Sequence, residues 1–141
     1  MSLIDRFKSR KVLTDALLAQ AIIQGDRNVA EAFADAGEVI ELQAGEVLIQ
    51  EDATDRDMYF LLFGKVSLSV KGRTLYPREK NHTVGEMSAV NHSLKRSATV
   101  TATEPTVALK VSPETLEKVA ETAPRVYWLI ATELAGRLVQ R

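Results

Sequence analysis

Gly85-Glu86-Met87-Ser88, followed after a short polar loop by Arg96-Ser97-Ala98-Thr99, decides the reading of this chain. A helix-compatible segment interrupts a region otherwise patterned as strand. Gly85 allows a tight turn into it. The first helical turn then presents the backbone N–H groups of Met87, Ser88 and Ala89, which together with the helix dipole make an anion site. Arg96 returns as a strand begins, and a guanidinium matches a phosphate through two parallel hydrogen bonds. Glu86 is a carboxylate beside that site. It is wrong for holding phosphate, but suited to accepting a hydrogen bond from a ribose 2′-hydroxyl, or to bracing Arg96.

Outward from this stretch, the apolar residues alternate with a period of two. Val66, Leu68 and Val70 interleave with Lys65, Ser67 and Ser69, as in a half-buried strand. Lys71-Gly72-Arg73 reads as a hairpin turn, with Leu75 and Tyr76 starting the return strand and Pro77 limiting it. Met58–Phe63 is nearly all apolar, as in a strand buried on both faces. Residues 52–57 read as a polar turn. Val47–Ile49 is a short apolar run after a turn at Ala44-Gly45. On the other side, Ala98, Val100 and Ala102 alternate with threonines. A turn at Glu104-Pro105 leads to Val107, Leu109 and Val111. Many short strands with tight turns predict a roll or barrel of antiparallel sheet.

Helices flank this region. Residues 13–34 show helical spacing, broken around Gly25-Asp26 and Asn28, and the second helix ends near Gly37. After the strands, Ser112 is an N-cap, Pro113 suits the first helical position, and the helix stops before Pro124. A last helix spans 125–141, with Val126, Ile130, Leu134 and Leu138 on one stripe and Leu129 beside it. It has no terminal cap, which predicts a domain cut from a longer protein. The expected fold is therefore α+β, as one domain over 1–141. It comprises a helical segment 1–37, a jelly-roll-like antiparallel β-roll 38–111 carrying the cassette 84–99, and two closing helices in 112–141.

Composition narrows the function classes. The chain has 141 residues, enough for one unstapled core, with Lys+Arg 18 against Asp+Glu 19. No basic excess marks it as a nucleic-acid binder. There is no cysteine, so no disulfide, thiolate metal site or Cys nucleophile. No apolar run approaches the ~20 residues that span a bilayer. The charged N-terminus lacks the apolar core of a signal peptide. A cytoplasmic location is expected. The two histidines, His82 and His92, are ten residues apart with no His-x-His pair, which counts against a β-roll metalloenzyme.

The stretch 85–99 resembles the phosphate-binding cassette of cyclic-nucleotide-binding domains such as the catabolite activator protein, the protein kinase A regulatory subunit and gated channels. Gly45-Glu46 resembles the family's early strand-turn signature, and Tyr59-Phe60-Leu61-Leu62-Phe63-Gly64-Lys65-Val66 its Tyr-x-Leu-x-x-Gly-x-Val strand. The resemblance covers about the whole chain. It implies that Arg96 holds the exocyclic phosphate oxygens, that Ser97 and the backbone of Gly85, Met87 and Ser88 complete the grip, and that Glu86 holds the ribose. Ala98 accompanies them. Thr99 is implied near the base edge, and Tyr76 and Val70 beside the base. The last helix is a lid, with Tyr127 and Trp128 as stacking candidates. No catalytic residue and no metal are implied.

The hairpin Lys71-Gly72-Arg73, the cassette and the ending Glu133-Leu134-Ala135-Gly136-Arg137-Leu138-Val139-Gln140-Arg141 further resemble bacterial sensor domains fused to a TIR domain, the Pycsar anti-phage effectors. That resemblance implies a cyclic UMP ligand, with cyclic CMP or cyclic AMP next, and an NAD-degrading effector in the same polypeptide. Homodimerisation is expected through the apolar stripe of the last helix, where Ala131, Ala135 and Gly136 permit close approach. Neither membrane nor nucleic acid is an expected partner. The alternatives are the sensor half of a catabolite-activator-type transcription regulator, or a ligand-free module of the same fold.

Overall fold

The computed structural model describes residues 2–140. Its helical N-terminal segment comprises α1 (Leu3–Phe7), α2 (Arg10–Leu18) and α3 (Arg27–Ala36). Ser9 and Asp26 cap the last two, each accepting a hydrogen bond from the backbone N–H three residues on. The short α1 lies in the charged N-terminal stretch, inside the expected helical segment 1–37 but ahead of the helical spacing read at 13–34. α2 ends at Leu18, well before the expected break at Gly25. The stretch between α2 and α3 is a series of turns pinned by the N–H of Ala21 on the carbonyl of Asn81.

Nine short strands follow among the described residues: β1 (Glu38–Leu42), β2 (Val47–Ile49), β3 (Met58–Phe63), β4 (Lys65–Val70), β5 (Arg73–Thr74), β6 (Arg78–Glu79), β7 (Thr83–Val84), β8 (Thr99–Ala102) and β9 (Thr106–Val111). One sheet runs β1-β9-β3-β7. The other runs β2-β8-β4-β5, with β6 also paired to β4. All pairings are antiparallel, as the roll reading requires. The return strand of the hairpin begins at Arg73, not at Leu75. The pairs Val70–Arg73 and Ser69–Thr74 close around Lys71 and Gly72, both with positive φ as such a turn demands.

The period of two divides β3 and β9 between two cores. Met58, Phe60 and Leu62 of β3, with Val107, Leu109 and Val111 of β9, pack against α2, α3, α5 (Pro113–Thr122) and α6 (Arg125–Gln140). Tyr59, Leu61 and Ala108 point the other way, into the roll, where they meet Ile49, Val66, Leu68, Val84 and Val100. Gly64 makes the β3–β4 turn at φ 92°, and a Cβ there would stand 2.5 Å from the Pro105 carbonyl oxygen.

At the C-terminal end, Ser112 caps α5 through its hydroxyl and Pro113 starts it, as expected. In α6, Val126, Leu129 and Ile130 are buried in the helical core. The stripe assigned to a second copy is thus half consumed by the chain's own core. The expected end of this helix at Arg141 lies outside the described residues.

Candidate functional site

The roll is not filled. A cavity of about 1150 Å³ opens between its floor (Ile49, Leu68, Val84 and Val100), the segment 73–78, the cassette and α6. Gly85, Glu86, Met87, Ser88, Arg96, Ser97 and Ala98 all line it, as do Val70 and Tyr76. The structure therefore gathers seven of the eight cassette residues, and two of the four base or lid candidates, on one wall system.

Thr99 does not line the cavity. The alternation of β8 turns Ala98 and Val100 inward and Thr99 outward, where its Oγ1 accepts hydrogen bonds from the Glu51 N–H at 3.1 Å and from Gln50 Nε2 at 3.3 Å. Tyr127 and Trp128 do not line it either. They stand on the first turns of α6, and Trp128 is 69% exposed. The residues of α6 that reach the cavity are Leu134, Arg137 and Leu138, a turn or more further along the helix.

Arg96 is 2% exposed and already engaged. Its Nε and Nη2 donate to Asp55 Oδ2 at 3.3 and 2.8 Å. Nη2 also donates to the Asp57 carbonyl at 2.5 Å, and Nη1 to the Gly85 carbonyl at 3.1 Å. Of the five guanidinium N–H groups, four are used, which leaves one on Nη1. The fork expected to meet a phosphate is thus occupied by Asp55, which is itself 49% exposed. The 52–57 segment, read from sequence only as a polar turn, wraps the arginine. The Arg96 N–H donates to the Ala53 carbonyl, and the Asp52 N–H to the Arg96 carbonyl, both at 2.9 Å.

Gly85 makes this arrangement possible. It sits at φ 85° as the N-cap of α4 (Glu86–Val90). A Cβ there would lie 2.7 Å from the Asp57 carbonyl oxygen and 2.8 Å from Arg96 Nη1. The N–H groups of Glu86, Met87 and Ser88 precede the first intrahelical bond, from the Ala89 N–H to the Gly85 carbonyl at 3.4 Å. Ser97 is exposed, and its hydroxyl lies against Met87 Sδ at 4.0 Å.

Glu86 is also engaged, but not with Arg96, which it does not brace. Thr83 Oγ1 donates to Glu86 Oε2 at 3.0 Å, and Arg137 Nη1 donates to Oε1. Arg137 Nη2 donates to the Thr83 carbonyl at 3.0 Å. Glu86 and Thr83 are both buried. The last helix, α6, thus delivers a cation onto the cassette carboxylate. Thr83 and Arg137 were not read from the sequence, although Thr83-Val84-Gly85-Glu86 has the spacing of a capping box. Glu133 lies four residues before Arg137, at 4.0 Å, and 3.4 Å from His82 Nδ1.

The charged residues lining the cavity are Lys71, Arg73, Arg78, Arg96 and Arg137 against the single carboxylate of Glu86. Such a concave, cationic site over an apolar floor fits a small organic anion. Tyr59 lies in the floor cluster. Burial, and secondarily the charge of Asp57, hold its phenol above the ordinary tyrosine value. Among the described residues no group of three or more His, Cys, Asp or Glu could hold a metal ion. No helix among them is long and apolar enough to cross a membrane.

The two-sheet roll, the cassette and the closing helices define a class, and residues 39–123 match the model of the cyclic nucleotide-binding domain. The chain belongs to that family. It is 39% identical over 142 residues to the Pycsar effector protein PaPycTIR of Pseudomonas aeruginosa, an alignment covering 99% of this chain and 46% of that protein. It thus spans about half the length of the curated relatives it matches. The catabolite activator protein of Thermus thermophilus superposes with a TM-score of 0.75 at 25% identity, over 84% of this chain and 58% of that one. The Sp-2Cl-cAMPS-bound PKAR CBD2 superposes at 0.77 with 17% identity, over 93% and 90%. The chain is accordingly a cyclic nucleotide-binding sensor domain related to the PycTIR effectors.

Proposed function

We propose that this domain binds a 3′,5′-cyclic mononucleotide, cyclic UMP first and cyclic CMP or cyclic AMP next, and relays occupancy through α6 to an effector domain. The likeness to PaPycTIR supports an NAD-degrading TIR domain in cytoplasmic anti-phage defence as that effector, with the sensor itself doing no chemistry. The observation that carries the reading is the Glu86–Arg137 pair, because it ties the ligand's own subsite to the lid helix.

The chemistry follows from the two occupied groups. A cyclic phosphate brings one negative charge to the cassette. It takes the remaining Nη1 hydrogen of Arg96, the Ser97 hydroxyl and the N–H groups of Met87 and Ser88. It then competes with Asp55 for the guanidinium fork. Asp55 is half exposed, so water takes it up at little cost when it lets go. The ribose 2′-hydroxyl donates to Glu86 and competes there with Arg137. An arginine released from Glu86 changes what holds α6 to the cassette. The ligand shifts α6 only by its difference in affinity for the two arrangements.

The exposed side of α6 carries Trp128, Ala131, Ala135 and Val139 at helical spacing. It takes over the dimer role from the stripe that the core has half consumed. Trp128→Glu should abolish a dimer seen by light scattering while leaving ligand affinity within twofold.

Calorimetric titration with the four cyclic mononucleotides tests the reading. One should bind with a Kd in the micromolar range or below, and Arg96→Ala should abolish binding. Arg96→Lys keeps the charge and loses the fork, so it should fold and bind at least tenfold more weakly. Equal affinity for Arg96→Lys and wild type would remove the phosphate role from Arg96.

A further inference from the structure

A second cavity, of about 490 Å³, lies behind Arg137. Pro77, Arg78 and Arg137 line both it and the roll cavity. Arg137 is therefore part of the wall between two spaces, with a carboxylate on each side. Glu86 holds its Nη1, and Glu133 Oε2 stands 4.0 Å from its Nη2. Glu133 precedes Arg137 by four residues on α6, the spacing and order in which a carboxylate and a cation pair best on a helix. Glu133 also travels with α6, whereas Glu86 belongs to the cassette.

Glu133 is shared with a histidine. His82 Nδ1 lies 3.4 Å from the same Oε2. The backbone of His82 is fixed on the sheet side. Its N–H donates to the Glu79 carbonyl at 3.3 Å, and its carbonyl accepts from the Leu61 N–H at 2.9 Å. The charged groups that face it across the second cavity are Lys65 of β4, Arg78 and Glu79 of β6, and Glu133 and Arg137 of α6. Of these residue types only histidine ordinarily changes charge between about pH 5 and 8. A neutral imidazole leaves Glu133 able to take a guanidinium. An imidazolium holds Glu133 as an ion pair and repels Arg137.

We infer that Glu133 is the second seat of Arg137, taken when a ribose 2′-hydroxyl claims Glu86, and that protonation of His82 closes this seat. The inference rests on the cyclic-nucleotide reading and adds a pH control to the same site. With His82 neutral, Arg137 passes from one carboxylate to another. With His82 protonated, Arg137 leaves Glu86 without a carboxylate to receive it, and the ribose displaces it less readily. Binding therefore expels a proton from His82 and weakens as the pH falls. A 2′-deoxyribose leaves Arg137 on Glu86, so its binding lacks this dependence.

The test is calorimetry at about pH 8 and about pH 5.5, in buffers of different ionisation enthalpy, which count the protons exchanged. The probes are cyclic UMP, CMP, AMP and GMP and their 2′-deoxy forms, on wild type, His82→Gln and Glu133→Gln. His82 and Glu133 are both partly exposed, so both variants should fold. In wild type the tightest ribose ligand should weaken about threefold more than its 2′-deoxy form between the higher and the lower pH, and should release protons on binding. His82→Gln should bind at both pH values as wild type does at the higher one. Glu133→Gln should bind the ribose ligand about threefold more weakly than wild type at the higher pH, with no further loss at the lower. A pH dependence shared equally by the 2′-deoxy form, or surviving in His82→Gln, overturns the inference and leaves the sensor reading intact. So does an affinity for the ribose ligand that ignores pH. Binding of none of these nucleotides by wild type at either pH overturns both.

Discussion

Strand β3 has two faces, and they lead to two different kinds of interior. Phe60 and its neighbours on one face meet α2, α3, α5 and α6, and Phe60 stacks edge-on to Phe33 at 4.9 Å between ring centroids. Tyr59 and Leu61 on the other face meet a smaller cluster that stops at a cavity. The first interior is sealed, the second open. The difference shows where this fold keeps its stability and where it keeps room for a ligand, although both sets of residues come from one strand and look equally apolar in sequence.

The largest expected effect separates the two. Phe60→Ala leaves a void that the sealed core cannot fill, and should cost about 3–5 kcal/mol. Leu68→Ala removes a side chain that already borders open space, so it loses transfer energy and little cavity energy, about 2 kcal/mol. Urea unfolding of both variants decides the matter. Equal losses would mean that the roll interior is as tightly packed as the helical side.

Gly85 comes next. An alanine there must hold φ near 85° and push against the Asp57 carbonyl and Arg96. A destabilisation of about 1–2 kcal/mol is expected, together with a loss of ligand affinity of at least tenfold, because the group displaced is the guanidinium itself. Loss of stability with full affinity would detach Arg96 from the anion site.

Arg137→Ala should have a smaller and more selective effect on affinity. It leaves the buried Glu86 with Thr83 as its remaining partner, at a cost of about 1–3 kcal/mol. Because the competitor for the ribose is gone, the variant should prefer a ribose over a 2′-deoxyribose ligand more strongly than wild type does. An unchanged ratio would take the ribose away from Glu86.

The two interiors also differ in how far the sequence discloses them. The strand alternation, the glycine turn into a short helix and the capped start of α5 are local patterns, and each stands where those patterns predict, apart from a hairpin return strand that starts two residues early. The partners of the cassette are not local. Asp55 reaches Arg96 across 41 residues, and Arg137 reaches Glu86 across 51. The segment holding Asp52, Asp55 and Asp57 reads as a solvated turn until the fold closes it on an arginine, through the Asp55 carboxylate and the backbone of the other two. Residues 127 and 128 illustrate the converse. Aromatic character made them lid candidates, but they stand at the start of α6, and the cavity receives Leu134, Arg137 and Leu138, further along the helix, instead. Which turn of a helix reaches a distant strand is set by tertiary packing, which a sequence period alone does not give.

The smallest effect probes the boundary between the two interiors, at Tyr59. Its phenol is held above the ordinary tyrosine value chiefly by burial. Below about pH 10 both folded and unfolded chains keep the proton, and this group gives stability no pH dependence. Above that pH the unfolded phenol ionises first. The unfolded chain then holds fewer protons than the folded one, and stability falls with rising pH until the folded phenol titrates too. Tyr59→Phe removes that slope. Urea midpoints measured at about pH 9 and about pH 10.5 should therefore draw apart more for wild type than for the variant. Parallel losses would mean that water reaches Tyr59. The floor of the cavity would then be as open as its mouth, and the division of β3 into a closed and an open side would hold only for the residues above the floor.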